Sequence, residues 1–122
     1  LDKNKFLVSA LKYNEGFNFY TSNYNEVGHS ILPIEYGDGH PVKFNNSNNI
    51  LLDSYPDRYS EQNLYTVNLD SNKVNNILKT YSPLKFIGAN KCDLHPKISN
   101  SDKYFGIDSC NNDKREKLII EN

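Results

Sequence analysis

The sequence contains no methionine, no tryptophan and only two cysteines in 122 residues. Two thiols are too few for a disulfide scaffold or a four-thiolate zinc site. Long hydrophobic runs are missing as well. Stretches such as Ile50-Leu51-Leu52 are the longest, far short of the roughly 20 apolar residues of a membrane-spanning helix. Neither sign of charge is in excess: 14 Lys+Arg face 15 Asp+Glu, for a net charge of -1. With no basic surplus to neutralise phosphates, general nucleic-acid binding is not expected. No signal peptide is read at the start. A chain that opens on Leu1 and lacks Met is expected to be a processed product or a piece of a longer protein. Its length allows one ordinary domain at most.

What is present is asparagine, 19 residues of it, in clusters such as Asn45-Asn46, Asn48-Asn49 and Asn111-Asn112. Such polarity could mean disorder, but nine Tyr and six Phe supply bulky apolar surface. No long stretch repeats apolar residues at helical spacing, and Asn, Tyr, Ser and Asp are mediocre helix formers. Short apolar or alternating runs dominate instead, among them 5–10, 17–22, 50–54, 64–69, 74–79, 104–108 and 117–120. Polar clusters separate them: Asn14-Glu15-Gly16, 45–49, Asp70-Ser71-Asn72, Asn100-Ser101-Asp102 and Asn111-Asn112-Asp113. This spacing predicts an all-β chain of antiparallel hairpins.

An internal repeat organises these runs. Asp38-Gly39-His40-Pro41 recurs 55 residues later as Asp93-Leu94-His95-Pro96, and the same displacement carries Asp53-Ser54 onto Asp108-Ser109. Each copy reads Asp-x-His-Pro, short strand, turn, apolar strand, Asp-Ser. The following strand repeats too, with 63–65 falling on 118–120. A displacement of 45 brings out a third copy, placing Phe6-Leu7 on Leu51-Leu52, Ser9 on Ser54 and 19–21 on 64–66. Four short strands per period of this length form the blade pattern of a β-propeller. The expectation is a partial propeller with blade parts at about 1–36, 37–90 and 91–122. Two and a half blades cannot close a ring, so remaining blades or oligomer partners are expected to cover the exposed blade faces.

The segments from Asp38 to Pro41 and from Leu52 to Asp57, with the block from Cys92 to Ser109, resemble TolB-like, WD40-like bacterial β-propellers. The nearest named type is the oligogalacturonate lyase-type propeller. The resemblance is strongest over 37–122 and weak over 1–36. It implies a manganese ion near the propeller axis, held by three histidines and a glutamine. Two of those histidines correspond to His40 and His95. The third stands where this chain has Asp93, and the glutamine where it has Asn90. Mn2+ or another divalent metal is the cofactor so implied, and an oligosaccharide or acidic sugar the partner.

The residues themselves leave alternatives open. His40, His95, Asp93 and Asp38 could form a nitrogen and oxygen site for Mn, Fe or Zn. Equally, Asp and His-Pro could be blade-corner residues that cap backbone amides. Asp53-Ser54 and Asp108-Ser109 are expected to accept backbone N–H groups of the following turn, with a channel carboxylate pair as the other reading. Tyr55, Arg58 and Arg115 could stack on a sugar and bind its carboxylate, or be ordinary turn residues. His29 reads as a surface or turn histidine. Cys92 and Cys110 could lie close together, as a disulfide or as free, partly buried thiols.

Overall fold

The computed structural model describes residues 5–14, 16–25, 30–32, 34 and 38–122. Among these residues ten strands form three antiparallel sheets. The first holds β1 (Lys5–Lys12), β2 (Gly16–Asn23) and β3 (Ser30–Ile31), in that order. The second is four-stranded: β4 (Val42–Lys43), β5 (Asn49–Asp53), β6 (Glu61–Asn68) and β7 (Val74–Tyr81). In the third, β8 (Lys97–Ile98), β9 (Tyr104–Ser109) and β10 (Glu116–Glu121) are again neighbours in chain order. Among the described residues there is no α-helix, and the only helical turn is the 3-10 segment Gly88–Asn90. Among the described residues no sheet closes on itself.

The abundance of asparagine and aspartate has a local cause. Asn14, Asn72, Asp102 and Asp113 all take positive φ, between 57° and 67°, in the turns that join strands. Apart from glycine, short polar side chains tolerate this left-handed conformation best. The polar clusters of the sequence are therefore the hairpin turns.

The inner strands β5 and β6 of the second sheet are buried on both faces, which is why β5 reads as an unbroken apolar run rather than an alternation. On one side Ile50, Leu52, Tyr65 and Val67 pack with Phe19 and Leu32 of the first sheet's segment. On the other, Phe44, Leu51 and Leu64 pack with Leu94, Phe105 and Ile107 of the third. Three sheets thus stack face to face. The outermost strand β10 has only one covered face and alternates accordingly.

Strands of the second and third sheets stand at the displacement seen in the repeat: β8 lies 55 residues after β4, and Tyr104 of β9 the same distance after Asn49 of β5. The stacking sense also repeats, since Phe105 and Ile107 face the second sheet as Ile50 and Leu52 face the first. In β1 the expected alignment is one residue out. Ser9 pairs with Phe19, as Asp53, not Ser54, pairs with Leu64. Leu7 accordingly faces the next sheet and matches Leu51 rather than Leu52. A one-residue slip exchanges the two faces of a strand, and three successive apolar residues, Phe6-Leu7-Val8, offer no alternation to prevent it.

Candidate metal centre

Both Asp-x-His-Pro turns lead directly into the first strand of their sheets, β4 and β8. They meet over one buried carboxylate. Asp53, 1% exposed at the end of β5, accepts the backbone N–H of His40 at 2.6 Å and that of His95 at 3.2 Å. His40 Nδ1 lies 3.0 Å from Asp53 Oδ2. With the Asp53 carboxylate as acceptor, Nδ1 is the donor of this contact, and in the neutral ring Nε2 keeps the lone pair that a metal could take. Metal-ligating histidines usually have such a carboxylate behind them. The expectation that Asp53 caps the turn after it is corrected: its partners belong to the two Asp-x-His-Pro turns. Ser54 does serve its own hairpin, accepting Asn63 N–H at 3.0 Å. Gly39 is required here, because a Cβ would collide with the Asp53 backbone carbonyl.

His95 reaches the same place by a strained route. Its φ is 43°, although it precedes Pro96, which favours extended backbone. A non-glycine residue held so costs about 1–3 kcal/mol. The bond to Asp53 and two neighbours hold it there. Leu94 is fully buried, and its carbonyl accepts Asp108 N–H at 2.8 Å. The exposed His95 ring lies with its centroid 4.2 Å from that of His40.

Asp93 completes the group. One donor atom each from His40, Asp93 and His95 lie within 4.8 Å of one another. The Asp93 carboxylate is buried, and its Oδ2 is 2.9 Å from Lys91 Nζ. Hydrogen bonding to Asp93 holds the Lys91 ammonium above its usual pKa. Two imidazoles and a carboxylate suit Zn, Mn or Fe, and three protein donors leave positions open for water or a ligand.

The other expected residues divide. Asp38 is occupied structurally, accepting Ser9 Oγ–H and Gly39 N–H, both at 2.9 Å. Asn90 is exposed in the 3-10 turn, and its backbone carbonyl accepts from the Arg115 guanidinium at 2.6 Å. Arg115 also donates to the Lys91 carbonyl at 3.0 Å, so it clamps the loop that carries Lys91. Arg58 is exposed and lies 4.7 Å from the Tyr59 ring centroid. Tyr55 does sit at the site, its ring edge-on to His40 at 5.6 Å and 4.7 Å below Lys91 Nζ. Burial, then Asp38, raises its phenol pKa, with Asp93 and Asp53 adding and Lys91 opposing. Tyr55 lines a groove of about 310 Å3 with Phe86, Ile87, Lys91 and Asp93; neither arginine lines it. His29 lies outside the described residues.

Lys91 was not singled out by sequence reasoning, because a loop lysine carries no pattern. Its spacing of two from Asp93 was the one available signal. Cys92 and Cys110 are buried free thiols. Burial and the adjoining Cys110 push the Cys92 thiol up to about 11.

No family model matches the chain, nor does any curated protein or solved structure. The chemistry of the site therefore rests on its own geometry: an imidazole backed by a buried carboxylate, a second on strained backbone, and a carboxylate beside a lysine.

Proposed function

We propose that this chain is a segment of a β-propeller, each sheet a blade or part of one, with a divalent-metal site at His40, Asp93 and His95 that serves an acidic oligosaccharide. The observation that carries the reading is the convergence of these three side chains from two successive copies of one motif. The common stacking sense of the three sheets supports the blade assignment. Remaining blades or an oligomer partner would cover faces such as that of Ile119, which is 72% exposed.

As in an oligogalacturonate lyase-type propeller, a divalent ion here would neutralise a uronate carboxylate and lower the barrier to removing the α-proton before β-elimination. This chain's residues have the other tasks. Asp53 orients the His40 ring. His95 presents its ring to solvent, and Tyr55 with Phe86 offers faces on which a sugar can stack. The binding roles of Arg58 and Arg115 belong to this proposal too, although Arg115 already has two carbonyl partners.

A second reading is favoured by Asp53 and Asp38, whose bonds tie turns and sheets together. In it the motif only holds blade geometry, and the chain is a non-catalytic binding or scaffold module. Metal analysis and Mn2+ titration of the purified protein, with His95→Ala beside it, decide between them. One equivalent of metal, lost in the variant, is the expected result. Acidic oligosaccharides are then the first substrates to assay for unsaturated products. Absence of binding in both proteins would leave the scaffold reading.

A further inference from the structure

A cation already stands at the site. Lys91 Nζ sits 2.9 Å from Asp93 Oδ2, while its stem is half exposed and its head lies 4.7 Å above the Tyr55 ring. Asp93 is almost fully buried, and a buried carboxylate needs a partner. The lysine supplies one without help from outside. Its backbone is not free to drift, because Arg115, in the turn between β9 and β10, grips the Lys91 carbonyl. The side chain, by contrast, has four rotatable carbons and open solvent to move into.

A divalent ion coordinated by Asp93 would share the carboxylate whose Oδ2 Lys91 holds. Two cations at one carboxylate repel each other, and in a partly buried setting the repulsion is weakly screened. We propose that Lys91 is a resident counter-ion of Asp93 that a divalent metal must displace, so that this lysine sets the metal affinity of the site. The inference rests on the metal reading of His40, Asp93 and His95.

With the metal absent, Lys91 neutralises Asp93 and keeps the trio compact. With the metal bound, the ammonium leaves Asp93 and swings within the groove lined by Tyr55, Phe86 and Ile87. Asp38 also faces this cluster electrostatically, acting on both Tyr55 and Lys91. Loss of the ion pair thus leaves the ammonium in a negative surrounding rather than an apolar one.

The test is a calorimetric titration with Mn2+ alone on wild type, Lys91→Gln and Lys91→Arg. Near-UV circular dichroism checks the fold of each. Lys91→Gln should bind Mn2+ at least ten-fold more tightly than wild type, while Lys91→Arg, which keeps a cation on Asp93, should bind no more tightly than wild type. Binding seen only in Lys91→Gln would also support displacement. Equal or weaker binding by Lys91→Gln, with wild-type binding intact, overturns the role of Lys91 and leaves the metal reading standing. No Mn2+ binding by any of the three proteins overturns both.

Discussion

The two Asp-x-His-Pro turns have nearly the same sequence and different jobs. In the first, Gly39 lets the backbone lie against Asp53, Asp38 holds its own turn and the first sheet, and His40 has one ring nitrogen tied to Asp53. In the second, Leu94 replaces the glycine and fills the core, Asp93 faces a lysine, and His95 stands exposed on left-handed backbone. The aspartates that end the next strand differ as sharply. Asp53 is buried with three N–H partners, whereas the Asp108 side chain is 41% exposed and paired with Lys117. One copy supplies rigidity and the other supplies reach. Two copies of one motif can therefore hold equivalent places in the fold with different side-chain tasks.

The strongest break of this comparison is at the aspartates. Asp53→Ala strands two backbone N–H groups and an imidazole, and should cost about 3–5 kcal/mol in urea unfolding. Asp108→Ala removes an exposed pair and should cost less than about 1 kcal/mol. Equal losses would contradict the division of labour.

A second contrast lies at the tip of the third sheet. Asp102 accepts the backbone and side-chain N–H groups of both Asn45 and Asn46, at 2.7–3.0 Å, and so fastens the third sheet to the second. The corresponding position in the second sheet is Ser47. Burial opposes ionisation of Asp102, yet these donors outweigh it and hold the carboxyl below its usual 3.8. The stabilisation is fully present above pH 3.8 and is lost as pH falls through the lowered folded value. Asp102→Ala should lower Tm by roughly 5 °C near neutrality, and Ser47→Ala should leave it unchanged. The Asp102 difference should shrink in scans taken below that pH.

The smallest effect concerns the histidine backbones. His95→Gly relieves a left-handed residue and should raise stability by about 0.5–1 kcal/mol. His40→Gly relieves nothing, loses the contact to Asp53 and should lower it by about 1 kcal/mol or more. Denaturation midpoints of the two variants should move in opposite directions.

Much of the architecture was legible because hairpin turns need residues that accept positive φ, and Asn14, Asn72, Asp102 and Asp113 advertise them. The meeting of His40 with His95 and Asp93 was legible because equivalent positions of stacked repeats fall side by side. Three things were not. The face of β1 was hidden by Phe6-Leu7-Val8, where every position is apolar. The left-handed turn at His95 runs against the usual effect of the following Pro96, and only tertiary contacts impose it. The partners of Arg115 are backbone carbonyls, which leave no trace in residue identity, so an arginine that clamps a loop reads the same as one awaiting a sugar acid.

The most direct test is a Mn2+ titration followed by NMR of the histidine rings, in which the paramagnetic ion broadens nearby protons. The ring signals of His40 and His95 should broaden together and saturate at one equivalent of metal, and both effects should vanish in Asp93→Ala. Broadening of only one ring, or undiminished broadening in Asp93→Ala, would contradict a shared site built from the two turns.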